Sequence, residues 1–109
     1  MSLESDIRSA VAFTGLDCAT GEYTGSAAAY LVMNHSTLPA HFADDEPEDE
    51  RQLVQLHLYC PTKQNTVQLR ADIKRAIHEA GFSYPSTVDA TDKTGQHVVF
   101  EFEGLAGLA

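Results

Sequence analysis

Between Arg51 and Cys60 apolar and polar positions follow a two-residue period. Val54, Leu56, Leu58 and Cys60 fall on one side of an extended chain, and Leu53, Gln55, His57 and Tyr59 fall on the other. This pattern predicts a strand with one uniformly apolar face and one mixed face. Pro61 ends the ladder, Asn65 offers a side-chain oxygen to the first free amides of a helix, and Gln68 stands at the third helical position, where a capping-box partner belongs. The period then changes to that of a helix. Leu69, Ile73, Ile77 and Ala80 form an apolar stripe with Ala76 beside it, while Arg70, Lys74, His78 and Glu79 face away. Gly81 suits the left-handed position past the helix end, and Phe82 is placed to fold back onto the last turn. A strand therefore feeds a capped helix whose stripe must lie on a sheet.

The same reading extends to both ends. Leu3, Ile7 and Val11, with Ala10 between, predict a first helix opened by Ser2 and closed near Gly15. Residues 16–26 read as an irregular connection that holds at most a short strand around Cys18 or Tyr23. Residues 27–34 (AAAYLVMN) predict a strand through Tyr30 and Val32. Residues 35–50, HSTLPAHFADDEPEDE, contain two prolines and six acids and are expected to form a long acidic loop, mobile in the free protein. After Phe82, Ser86 to Ala90 and Gln96 to Glu103 form a closing hairpin about an Asp92–Gly95 turn. Within it Val98, Phe100 and Phe102 point inward, and His97, Val99, Glu101 and Glu103 outward. Residues 104–109 (GLAGLA) are expected to fray. The sum is a single α+β domain over 1–109: an antiparallel sheet of about four strands, two helices packed on one face, and a semi-polar second face.

Length and charge narrow the function classes. A chain of 109 residues buries roughly 65% of its unfolded surface and needs no staple. No charged-then-apolar leader opens the chain, so Cys18 and Cys60 are expected to be reduced thiols in a cytosolic compartment. The longest apolar run, Ala27 to Met33, is far short of the roughly 20 residues a spanning helix needs, so no membrane partner is expected. A formal charge of −9 with only 7 Lys and Arg argues against a grip on nucleic acid, which depends on cations displacing counterions from phosphates. The excess is local: Asp44, Asp45, Glu46, Glu48, Asp49 and Glu50 carry six of the 16 acids.

Candidate chemistry is sparse. His35, His41, Asp44 and Asp45 bring imidazole and carboxylate into one segment, the donor set of a zinc or manganese site, but their spacing matches no ligand signature and a solvated acidic loop with incidental histidines is the favoured reading. His57 and His97 lie on mixed strand faces and meet if their strands are neighbours. Cys60 and His57, three apart on a strand, point to opposite faces, and Cys18 has no basic sequence neighbour to activate it. The chain contains no glycine-rich phosphate loop, no GxSxG and no CxxC. It reads as a protein that is not an enzyme and requires no cofactor.

The order of elements supplies one resemblance. An N-terminal helix, a strand, a long variable segment, the strand RQLVQLHLYC, the helix TVQLRADIKRAIHEAGF and the end strand HVVFEFEG together resemble the small tail-completion proteins of long-tailed bacteriophages and prophages. These are the tail-terminator or tail-to-head joining proteins. The likeness covers nearly the whole chain and rests on order and texture rather than on one motif; the DDEPEDE run and the absence of a clear first strand before Tyr23 depart from it. It implies a structural virion protein, made in the bacterial host cytoplasm. Such a protein assembles as a ring, commonly hexameric, between a tail-tube protein and a head–tail connector protein, with DNA passing through without specific binding. Asp44, Asp45, Glu46, Glu48, Asp49 and Glu50 are then expected to border the opening or a neighbouring subunit, where their charge repels passing phosphates within a Debye length of about 8 to 10 Å. Three alternatives stand beside this: a head-completion or neck connector protein, an acidic protein-binding module or DNA mimic, and a metal-dependent hydrolase on the segment's histidines.

Overall fold

The computed structural model describes residues 3–43 and 46–107, with side chains described for 3–37 and 51–104. The elements run α1 (Leu3–Val11), a 3₁₀ turn (Ala12–Thr14), β1 (Cys18–Thr20), β2 (Tyr30–Ala43), β3 (Glu46–Cys60), α2 (Val67–Glu79), β4 (Ser86–Asp89) and β5 (Gln96–Gly107). They build the α+β architecture expected, with five strands in the order β1-β2-β3-β5-β4. The sheet is mixed rather than wholly antiparallel, because β1 runs parallel to β2, Cys18 opposite Leu31 and Thr20 opposite Met33. Three residues are too few to show a period, which is why this strand is barely legible in sequence.

The sides of the strands sort as the alternation requires. Leu31, Met33, Val54, Leu56, Leu58, Cys60, Val98, Phe100 and Phe102 form one buried cluster with Ile7 and Val11 of α1 and Ile73 and Ile77 of α2. Both helices therefore cover one face. Each fully buried aliphatic side chain contributes about 1.5–3 kcal/mol through removal from water. Leu3 and Leu69 pack at the margin of this cluster, and Ala80 is exposed.

The joint between β3 and α2 differs in detail from the capping box. The Asn65 side-chain oxygen accepts from the Val67 amide at 3.1 Å, but Gln68 reaches forward to Asp72 at 2.8 Å instead of back to the cap. The start of α2 is held by Gln96, the first residue of β5. Its Nε2 donates to the carbonyls of Pro61 (2.8 Å) and Gln64 (2.6 Å), and its Oε1 accepts from Thr66 Oγ1 (2.7 Å) and Arg70 Nη2 (2.9 Å). Arg70 is thereby drawn over the joint rather than facing away. At the other end Gly81 takes φ +104°, the Phe82 amide returns to the Ile77 carbonyl, and the Phe82 ring meets Phe102 edge-on at 5.3 Å, as the sequence anticipates.

Two expectations are corrected. Residues 35–43 and 46–50 are not an irregular loop: β2 and β3 keep one antiparallel register from Tyr30 opposite Tyr59 to Ala43 opposite Glu46, and Asp44 and Asp45 of the expected loop lie outside the described residues. Residues 104–107 do not fray but continue β5, Glu50 opposite Ala106 and Asp49 opposite Gly107. The molecule is elongated, 54 × 24 × 23 Å.

Candidate functional site on the arm and open face of the sheet

The helices cover only part of the sheet. Among the described side chains Leu31, Met33, Val54, Leu56, Phe100 and Phe102 are the last core residues in the direction of the hairpin. Beyond them β2, β3 and β5 continue together to Ala40, Asp49 and Gly107, and among the described residues β2 with β3 continue to Ala43 and Glu46. The flanking strands stop earlier. β1 reaches Met33 on one side, and β4 reaches Glu101 on the other. Ser83 then closes the β5 edge at Glu103, its amide donating to the Glu103 carbonyl and its hydroxyl accepting from the Glu103 amide, both at 2.9 Å. What remains is a three-stranded arm.

The direction of its edge groups follows from the ladder. The Leu31 amide donates to the Asp17 carbonyl and the Met33 carbonyl accepts from Gly21, so the odd residues of β2 point their backbone groups away from β3. Antiparallel alternation continues this outward set through His35, Thr37, Pro39 and His41. Pro39 thus stands where its missing N–H removes no bond to β3, which is why a proline there does not break the strand. Cross-strand pairs hold the arm's base: Thr37 to Gln52 at 2.9 Å, Gln55 to Glu101 at 3.2 Å and Arg51 to Glu103 at 2.7 Å. A depression of 720 Å³ lies beside them, lined by residues that include His35, Gln55, Tyr84 and Glu101.

Of the acids singled out from sequence, Glu46, Glu48, Asp49 and Glu50 lie on β3 in the outer arm, and Asp44 and Asp45 lie outside the described residues. The proposed metal set is not gathered: His35 Nε2 turns to Glu4 of α1 at 3.2 Å, and the side chain of His41 is outside the described residues. Among the described residues no group of three or more His, Cys, Asp or Glu is arranged to hold a metal ion. Cys18 and Cys60 are free thiols, and burial raises the pKa of each against the opposing pull of Arg8 and Arg70 respectively. Neither is an activated nucleophile.

The face opposite the helices carries a feature that single-sequence reasoning found only in part. Tyr23 stacks on Tyr30 (centroids 4.1 Å), Tyr30 on Tyr59 (4.8 Å), Tyr59 on His97 (4.3 Å), and His97 on His57 (5.0 Å). The register Tyr30↔Tyr59↔His97 sets three of these rings in one row. Tyr23 joins from the β1–β2 connection, fixed by its hydroxyl donating to Asp17 (3.0 Å) and accepting from the Ala27 amide (3.1 Å). Gly25 permits that crossing, since a Cβ there would run into the Tyr23 hydroxyl. The His57–His97 approach expected from their alternation is realised, Nδ1 to Nε2 at 2.8 Å. His57 Nε2 is buried with no hydrogen-bond partner. Protonating His57 would leave a buried N–H without an acceptor, and burial, reinforced by His97 and opposed by Glu101, lowers its pKa. Because the ring faces lie against one another, the row presents edges and hydroxyls to solvent rather than a stacking platform.

No helix is long and apolar enough to cross a membrane. No protein-family model and no curated protein matches this chain.

Proposed function

We propose that this protein is a structural virion assembly protein of a long-tailed phage or prophage, a tail-completion protein that joins a ring of its own copies to the end of a tail tube. The observation that carries the reading is the arm. Among the described residues three strands extend past the last core side chains, Met33, Val54 and Phe102, and two of them extend further still. A two-stranded hairpin is marginal in water and gains its stability from what packs on it or extends it. An arm of this length on a small domain therefore suits a subunit completed by neighbours. The helix, strand, helix and closing-hairpin order of the resemblance is compatible with the α+β fold. The partners that follow are a tail-tube protein on one side and a head–tail connector on the other, in the virion after synthesis in the bacterial cytoplasm. No catalytic residue is assigned.

Deletion of the gene from its phage tests the reading. The expected result is full heads and tails that accumulate unjoined by negative-stain microscopy, restored by the protein supplied in trans. Joined, infectious particles in its absence would refute it.

A further inference from the structure

We propose that the outer edge of β4 is a self-pairing site: two copies of this chain join β4 to β4, antiparallel, about a two-fold axis at Val88. The result is one continuous sheet with the helices of both copies on the same face. The pairing uses only β4 and α2, leaves the arm free and holds whatever particle the protein serves.

Four observations support it. First, the edge is open. The Ala90 amide donates to the His97 carbonyl at 2.7 Å, so the even residues of β4 face β5 and the backbone groups of Thr87 and Asp89 face outward. Among the described residues no hydrogen bond from outside the sheet reaches these outward groups. The opposite edge is closed: Arg8 Nε donates to the Cys18 carbonyl of β1 at 3.1 Å, and its Nη2 to Thr20 Oγ1 at 2.7 Å. Second, the edge is self-complementary. Thr87 and Asp89 are two residues apart, so a two-fold at Val88 sets Thr87 of each copy opposite Asp89 of the other, and each such pair exchanges both backbone bonds. Third, the axis is apolar. Val88, 50% exposed, shares the open face with Val99, its partner on β5. The two Val88 residues form a close, non-hydrogen-bonded pair with Cα atoms about 4.5 Å apart, and the valines of both copies make one row.

Fourth, the charges match. Thr87 and Asp89 turn to the helix side, where they line a depression of about 400 Å³ with Val67, Arg70 and Lys74 of α2. Asp89 pairs with Arg70 at 3.5 Å in its own copy, and Lys74 has no ion pair among the described residues. α2 starts at the level of Gln96 on β5 and ends near Phe102, while β4 runs back from Glu101 to Val98. Lys74, one turn or about 5.4 Å beyond Arg70, therefore stands at the level of Thr87, about 6.7 Å beyond Asp89. Asp89 of the second copy, opposite Thr87, then comes beside Lys74 and supplies its counter-charge. Antiparallel copies also point their acidic arms in opposite directions. Four residues make a short edge, so the dimer is weak and reversible, and an isologous contact stops at two copies.

Disulfide trapping in the full chain tests this. In a glutathione redox buffer at about 1 mM protein, where weak association is populated, Val88→Cys should collect as a disulfide dimer on non-reducing gels, without trimers. Thr87→Cys is also at an exposed position but lies about 8 Å from its own counterpart in this register, too far for a bridge, and should give at least tenfold less dimer. In the Val88→Cys background, Lys74→Glu sets a carboxylate against Asp89 and should slow dimer formation by about tenfold, while Lys74→Arg should not. Thr87→Pro removes an outward N–H and no bond to β5, and should abolish the dimer. Urea midpoints equal to the parent's verify that the variants fold. A Val88→Cys variant that stays monomeric, or as much dimer from Thr87→Cys, overturns the proposal. So does trapping at the parent rate in Lys74→Glu or Thr87→Pro.

Discussion

Gln96 is the residue whose loss should reveal most about how the helix is tied to the sheet. One amide bridges three pieces of chain: the carbonyls of Pro61 and Gln64 in the β3–α2 connection, the hydroxyl of Thr66, and the guanidinium of Arg70 in the first turn of α2. In Gln96→Ala these four bonds go, together with a longer one from Nε2 to the Thr62 carbonyl at 3.5 Å. The Pro61 and Gln64 carbonyls regain water, since both residues are exposed, so their loss is modest. Thr66 is only 4% exposed, and its hydroxyl hydrogen is left without its acceptor; a desolvated, unpaired donor costs about 1–3 kcal/mol. Adding two or three solvent-compensated bonds at about 0.5 kcal/mol each brings the expected loss to about 2–4 kcal/mol. Gln96→Met separates causes, because it keeps the length of the side chain and removes only its polar ends. Urea denaturation followed by far-UV circular dichroism should show both midpoints reduced, with the m-value unchanged. The Met variant should recover less than half of the Ala loss. A loss under about 0.5 kcal/mol in Gln96→Ala, or full recovery with Met, would mean that this side chain fills space and does not organise the joint.

Ile73→Ala, at a position with no solvent exposure between helix and sheet, should lose about 2–5 kcal/mol in the same assay, and a loss under half of 1 kcal/mol would contradict the placement of the apolar stripe. Stability should also fall with acid through His57. Its folded pKa lies below the unfolded value near 6.5, so the unfolded chain binds more protons and the contribution present above that pH declines as pH drops through it toward the folded pKa; His57→Phe should flatten that part of the profile in pH-dependent melting. Changing Asp44, Asp45, Glu46, Glu48, Asp49 and Glu50 together to Asn or Gln should leave the urea midpoint within about 1 kcal/mol and lower phage assembly or DNA passage, scored as infectious titre; full infectivity would return the run to a solvated surface.

The core was legible in sequence because two periods converge on it. Val54, Leu56 and Leu58 alternate, Ile73 and Ile77 recur by helical turns, and every one is buried. What was not legible has a specific cause in each case. The segment 35–50 carries the composition of a loop, with Pro39, Pro47 and six acids, yet its described residues, 35–43 and 46–50, are strand. Composition records how often prolines and acids break strands; it does not record which way an amide points, and Pro39 falls on the outward set. Residues 104–107 lack any alternation of polarity, and only their register with Glu50 and Asp49 makes them strand. His57 and His97 were recognisable as a possible pair, but Tyr23 has no periodic signal, and its place at the end of the ring row depends on a connection closed around Gly25.

The two faces of the sheet are each completed within the chain where the core lies. On one side the helices cover the apolar cluster. On the other Val32 and Val99 stand opposite His57, beside the row of stacked rings, and are 7% and 8% exposed. The core thus contains its own stabilising contacts on both faces, while the arm adds backbone pairing and exposed pairs such as Arg51 with Glu103, whose worth in water is about 0–1 kcal/mol. Stability and assembly should consequently separate along the strands. Changes at Met33, Leu56 or Phe100 should act on folding, and changes at His35 or Thr37 should cost folding little, because among the described side chains no core residue of β2 lies past Met33. That stretch of β2 carries no Lys, Arg, Asp or Glu on a chain of net charge −9, so its edge is blunted by Pro39 rather than by charge.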